Sequence, residues 1–258
     1  MFEHSTILAF HQTSDRFYPG INNIRPADFF SIVNMLERGG FCFYGDEGGN
    51  SNASNGKPQI VFSFDDGYED NFDILVELRD RNITPVVFIP TDYIGRRNNW
   101  DYSSRFFPAR HLNADRIRRL AEYGVIIGSH GAGHRCLTGM AVDSLREELS
   151  RSKKQLEDIT GFSVNLISFP FGRTNERVNG LAQECGYEYG FVLGTVRAST
   201  GRKQFLLPRL AIYSIDDYFS LRAKLSSKPA AAGRFERLKN NVINRLAGGT
   251  IIISPRLK

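Results

Sequence analysis

Cysteine is scarce in this sequence of 258 residues, and no CxxC spacing occurs. Cys42, Cys136 and Cys185 are odd in number, which argues against a disulfide framework. No run approaches the roughly 18 apolar residues of a membrane span. Met1–Ser5 carries neither the basic nor the apolar region of a secretory signal. These absences place the expected chain in a reducing cytoplasm. The basic residues come without an aromatic stacking platform or a known binding motif, which argues against nucleic acid. There is no sequence repeat and no internal boundary, so residues 1–258 are expected to form a single domain. At this length one α/β barrel suffices, and 41% hydrophobic residues give it a core.

Acidic residues are also nearly missing from one region. Residues 222–258 hold nine Lys/Arg and a single acid, Glu236, whereas the rest holds 24 basic and 27 acidic residues. A basic end suits an anionic partner, such as a membrane surface or a phosphate-bearing substrate; a solvated positive face is the alternative. Within it, 234–246 reads as a helix with Phe235, Leu238, Val242 and Leu246 on one stripe. That stripe either packs on the body of the protein or lies peripherally on a membrane.

What is present alternates in period. Strands are expected at 5–10, 59–64, 86–89, 125–129, 166–169, 189–193, 205–212 and 250–253. Helices are expected at 26–38, 68–81, 115–123, 143–160 (closed by Gly161), 176–185, 216–225 and 234–246, with a polar loop over 46–57. Strand-then-helix repetition implies a parallel sheet or barrel with crossover helices.

Histidine is rare, five in all, yet two lie four apart in Ser129-His130-Gly131-Ala132-Gly133-His134. Upstream, Phe64-Asp65-Asp66-Gly67 pairs two carboxylates. Two imidazoles and a carboxylate are the ligand set of a catalytic zinc site, whose fourth position keeps a water. The spare aspartate is then available as a base, so hydrolysis is the leading chemistry. Each piece has a plainer reading. The aspartates can form an acidic turn, or a calcium loop with Glu69 and Asp70, although EF-hand spacing is lacking. The histidines can be unliganded loop residues, since Gly131 and Gly133 oppose a regular helix. Phe169-Pro170-Phe171-Gly172 can be an ordinary turn, or one that aims the Phe171 amide as an oxyanion donor. Asp65-Asp66, His130, Pro170-Phe171 and His11 all follow expected strands, where α/β barrels place their active sites.

The order DDG, HxxxH, FPFG resembles the polysaccharide deacetylase family, also called carbohydrate esterase family four. The likeness extends through the flanks 60–71, 86–90, 121–137, 147–161 and 169–187. It implies a distorted (β/α)7 barrel and a metal-dependent N-deacetylase. Asp65 corresponds to the general base and Asp66, His130 and His134 to the metal ligands, with Zn²⁺ the favoured ion. The Phe171 amide corresponds to the oxyanion donor. Three positions depart from the family pattern. Gly131 replaces the usual Ser/Thr, removing a hydroxyl that braces the ligand loop. Ser168 stands where an Arg is usual, which makes Arg209 the candidate partner of Asp65. The late Leu-x-His is missing, since 250–255 reads Thr-Ile-Ile-Ile-Ser-Pro. The first strand instead ends at His11, as in the subgroup whose acid histidine is N-terminal, typified by biofilm poly-N-acetylglucosamine deacetylases.

The implied mechanism has the metal polarise a water, Asp65 take its proton, and His11 protonate the leaving amine. The expected substrate is an N-acetylated sugar of a surface polysaccharide or its precursor, of O-antigen or capsule type. Two readings stand beside it: a catalytically impaired sugar-binding protein, and a hydrolase of another non-peptide C–N bond.

Overall fold

Seven parallel strands close into a ring in the computed structural model, which describes residues 2, 5–45, 59–100, 106–194 and 204–225. The expected loop 46–57, the helix 234–246 and the strand 250–253 lie outside the described residues. In chain order the elements are β1 (Thr6–Phe10), β2 (Gln12–Thr13), β3 (Asn23–Ile24), α1 (Pro26–Arg38), β4 (Cys42–Phe43) and β5 (Gln59–Phe64). Next come α2 (Phe72–Asp80), β6 (Val86–Ile89), α3 (Ala114–Glu122), β7 (Ile126–Ser129) and α4 (Val142–Thr160). The last are β8 (Leu166–Ser168), α5 (Glu176–Glu184), β9 (Tyr189–Leu193), β10 (Leu206–Ala211) and α6 (Tyr218–Leu225).

The ring runs β1-β10-β9-β8-β7-β6-β5 and returns to β1 through Thr6↔Ile60 to Phe10↔Phe64. This is the (β/α)7 barrel that the resemblance implies. Short β4 pairs with the start of β5, at Cys42↔Gln59, while β6 pairs with its end, at Ser63↔Val86. The two-residue strands β2, β3 and β4 are not visible in the sequence, being shorter than any periodic signal.

Side-chain alternation along each strand sorts the core. Ile7, Val61, Val86, Phe88, Leu166, Tyr189, Phe191 and Leu207 form one cluster, contributed by six ring strands, that fills the barrel. The intervening positions Leu8, Phe10, Ile60, Phe62, Phe64, Val87 and Ile89 face outward onto Phe29, Val33 and Leu36 of α1 and Leu75 and Leu78 of α2. Ile167 and Val192 meet Leu145 and Leu149 of α4 and Leu181 of α5. Each such buried side chain contributes roughly 1.5–3 kcal/mol. Inside the barrel Phe88 takes the space beside β7, where a Cβ on Gly128 would come within 2.5 Å of its ring.

Local sequence explains the helix ends. Pro26 occupies the first turn of α1, where its missing N–H costs nothing. Asn113 and Asn175 cap α3 and α5 by accepting from Arg116 N and Val178 N. The helix expected over 68–81 begins later. Tyr68 is extended, Glu69–Asn71 is a 3₁₀ turn, and α2 starts at Phe72. Tyr68 is held out of helix by a bridge to His111.

Candidate active site and metal centre

Asp65 is the first residue past β5, and its N–H donates to the Phe10 carbonyl at 2.9 Å, extending the β1–β5 ladder. Arg209 of β10 meets it inside the barrel. Its Nη1 and Nη2 donate to Asp65 Oδ1 and Oδ2, both at 2.7 Å. Nη2 also donates to Ser168 Oγ at 2.7 Å, and Nη1 to Ser63 Oγ at 3.3 Å. The guanidinium lies 5.3 Å from the Phe88 ring centroid and 5.9 Å from that of Phe191, 1% exposed. Ser168 is the position where the family pattern has an arginine, and here its hydroxyl accepts from an arginine delivered by another strand. Burial alone would raise the Asp65 pKa. The charge and hydrogen bonds of Arg209, with smaller help from His130 and His11, overcome that and bring it to about 2.

Asp66 breaks the strand alternation. Its φ of 65° is left-handed, and Gly67 follows at 57°. The turn places Asp66 Oδ1 3.2 Å from His134 Nε2 and 3.5 Å from His130 Nε2. One ligand atom from each of the three residues lies within 4.8 Å of the others, and all three residues are buried. Burial would raise the Asp66 carboxyl too, but His134, His130 and His11 hold it well below the usual carboxylate range. Burial lowers the His130 pKa to about 4, only partly offset by Asp65 and Asp66. The ring is therefore neutral near pH 7. Its Nδ1–H donates to the Ser168 carbonyl at 2.8 Å, which leaves a lone pair on Nε2 facing Asp66. Asp66 Oδ1 is buried without a hydrogen-bond donor among the described residues. A lone pair and an anionic oxygen facing each other in a buried site repel unless a cation lies between them. The donor set fits a divalent ion on that ground.

The loop from His130 to His134 is not helical. Gly131, at φ 72°, lacks the hydroxyl of the family pattern, and other groups brace the loop. Ser129 Oγ accepts from Gly131 N at 3.0 Å and is hydrogen-bonded to Ser152 of α4. Glu148 Oε1, also on α4, accepts from Ala132 N at 2.9 Å and Gly133 N at 2.6 Å. The His134 ring stacks on Trp100, centroids 4.2 Å apart at 14°, and meets the Phe171 ring edge-on at 4.9 Å. Phe171 itself sits in the 3₁₀ turn Pro170–Gly172 with a left-handed φ of 61°.

His11 follows β1, beside Asp65 on the neighbouring strand. Its Nδ1 is buried without a partner among the described residues, and its carbonyl accepts from Asn71 Nδ2 at 2.6 Å. Glu69 and Asp70 turn elsewhere: Glu69 pairs with Arg116 at 3.0 Å, and Asp70 accepts from Gln12 Nε2 at 3.0 Å. The calcium-loop alternative therefore has no geometry behind it.

Sequence reasoning did not single out Glu148, Trp100 or His111. Glu148 and Trp100 carry no motif. His111 had one signal, the scarcity of its residue type. It lies 1% exposed behind Asp66, to whose carbonyl its Nδ1 hydrogen-bonds at 2.7 Å.

Residues 52–190, more than half of the chain, match the sequence profile described as polysaccharide deacetylase. YxkH of Bacillus subtilis (strain 168) is 27% identical over 154 residues, 59% of this chain and 51% of that protein. The peptidoglycan-N-acetylmuramic acid deacetylase PdaA of the same organism is 27% identical over 174 residues, 66% of this chain and 57% of that one. The chain thus spans little more than half the length of these curated relatives. A crystal structure of a polysaccharide deacetylase from Bacillus cereus superposes with a TM-score of 0.68 at 21% identity, covering 86% of this chain and 69% of that one. That likeness is one of fold.

Proposed function

The chain belongs to the polysaccharide deacetylase family, and from that premise we propose that it hydrolyses the N-acetyl group of an amino sugar in a surface polysaccharide or its precursor. The observation that carries the reading is the convergence of Asp66, His130 and His134 on one point beside an arginine-bound aspartate. The name of the relative PdaA, a deacetylase of an N-acetylated amino sugar, supports the substrate class. The O-antigen or capsule type remains part of the proposal.

Asp66, His130 and His134 are the proposed ligands of a divalent ion, with Zn²⁺ favoured. When bound, the ion supplies the Lewis acidity that makes a water acidic enough for a weak base. Asp65 is such a base. Arg209 keeps it ionised at every physiological pH, and the same ion pair limits how strongly it pulls a proton. It accepts the proton of the water that adds to the acetyl carbonyl carbon. The Phe171 amide donates to the oxygen that becomes negative. The C–N bond then breaks as His11 delivers a proton to the departing nitrogen, releasing acetate and a free amine. Trp100 and Phe171 pack against the His134 ring and wall that side of the site, where a drier environment would strengthen its electrostatics. No helix among the described residues is long and apolar enough to cross a membrane. Peripheral contact through the basic residues 222–258 is a further part of the proposal.

Acetate release from N-acetylated amino-sugar oligomers, with metal content measured on the same samples, tests this reading. Asp65→Asn is expected to retain metal and to lose at least 10²-fold in turnover, in line with loss of a general base. Full activity in that variant removes Asp65 from the mechanism.

A further inference from the structure

We infer that His111 is a positioning residue: its Nδ1–H clamps the backbone of Asp66 and thereby aims the Asp66 carboxylate at His130 and His134. The inference deepens the proposed function, on which its consequence for metal affinity rests.

Three hydrogen bonds tie the segment 110–112 to the turn after β5. Glu69 N donates to the Arg110 carbonyl at 2.8 Å, and Leu112 N to the Gly67 carbonyl at 2.9 Å. The third, His111 Nδ1–H to the Asp66 carbonyl at 2.7 Å, is the one that falls on the ligand residue itself. Asp66 needs such a restraint. A left-handed non-glycine residue costs of order 1–3 kcal/mol and persists only where its surroundings over-determine it. Relaxation of φ at Asp66 would swing its carboxylate off the two imidazoles.

The surroundings of the ring point the same way. His111 stacks on Tyr68 at 5.0 Å and 24°, and meets Trp100 at 4.9 Å and Tyr93 at 5.4 Å. In so apolar a cage a phenylalanine or leucine would fill the space without a polar penalty. The chain instead keeps an imidazole whose Nε2 is buried with no partner among the described residues. An unsatisfied buried polar atom costs about 1–3 kcal/mol. Packing does not explain that cost; a turn that depends on the Nδ1–H bond does. Trp100, which His111 backs, is also the ring that stacks on His134, so one side chain steadies two of the three ligands.

The test compares wild type with His111→Asn and His111→Phe. An asparagine amide can present a donor near the place of Nδ1; phenylalanine fills the cage and donates nothing. Two measurements are made. Hydrogen exchange over residues 65–69 in chelator-treated protein reports the clamp without any metal. Competition against a chromophoric chelator reports Zn²⁺ and Co²⁺ affinity. We expect His111→Phe to exchange at least tenfold faster over 65–69 and to bind metal 10–100-fold more weakly, as happens when a metal ligand loses the partner that orients it. We expect His111→Asn to stay within about threefold of wild type on both counts, by the same yardstick. Equal losses in the two variants, or a phenylalanine variant with wild-type exchange and affinity, overturn the inference. A wild-type protein that binds no divalent ion refutes the functional reading instead, and the exchange data still decide whether His111 holds the turn.

Discussion

At the scale of single residues, the site is a set of charges whose usual solvation has been replaced by specific partners. Arg209 gives Asp65 two hydrogen bonds and a counter-charge, while His130 and His111 are driven toward neutrality by burial. Both imidazoles keep a pKa of about 4 in the folded protein, against 6.5 when unfolded. Between pH 6.5 and 4 the unfolded chain therefore binds more protons, and stability falls as pH falls. Asp65 adds a second loss between about pH 4 and 2, where the unfolded carboxyl protonates and the folded one does not. A tenfold difference in proton affinity between the two states is worth about 1.4 kcal/mol, so the two histidines together remove several kcal/mol of stability by pH 4. Urea unfolding of chelator-treated protein is expected to give a steady drop in midpoint from pH 6.5 to 4.5 and little change from 7 to 8. A flat profile through pH 5 would mean that these rings are charged in the fold.

At the scale of elements, the ligand loop after β7 belongs as much to α4 as to the strand. Glu148 takes two loop amides and Ser152 reaches Ser129. The geometry fits glycine at position 131: φ is 72°, and a Cβ there would stand 3.3 Å from Glu148 Oε1. Restoring the hydroxyl of the family pattern should therefore harm this chain. Gly131→Ser is expected to lose about 1–2 kcal/mol of stability, the cost of a left-handed L-residue. It is also expected to lower turnover, because the added Cβ crowds the carboxylate that holds Ala132 and Gly133. Thermal unfolding and acetate release check both effects; a serine variant more active than wild type would show that Glu148 is a poorer brace than the missing hydroxyl.

At the scale of the whole molecule, the barrel interior joins stability to the site. Phe88 fills the space that Gly128 leaves and lies against both Phe191 and the Arg209 guanidinium. Phe88→Ala is expected to cost about 3–5 kcal/mol by opening a cavity. For a chain of this size that lowers Tm by roughly 6–20 °C, at about 2–4 °C per kcal/mol. Arg209 would then lose a wall, so turnover should fall further than for an equally destabilising change outside the barrel, such as Leu36→Ala on α1. Equal activity losses in the two variants at matched stability would separate the core from the chemistry.

The sequence alone determined the alternation of strands and helices, because period 2 and period 3.6 are local properties of side-chain direction. Pro26–Arg38, Gln59–Phe64, Val86–Ile89 and Tyr189–Leu193 have the bounds that the residues predict. It also determined which residues were candidates for chemistry, because histidine is scarce and because Asp65, Asp66, His130 and His134 recur in a family order. Only the tertiary structure decided what those residues touch. Ring closure of β1 on β5 sets His11 beside Asp65, and β10 delivers Arg209 to a position left without its arginine at Ser168. Residues as far apart as 65 and 209 meet through sheet register, and His111 and Glu148 reach the site across loops and a helix. Neither register over such separations nor a contact behind the site leaves a periodic trace in the chain, since both arise from how elements close on one another.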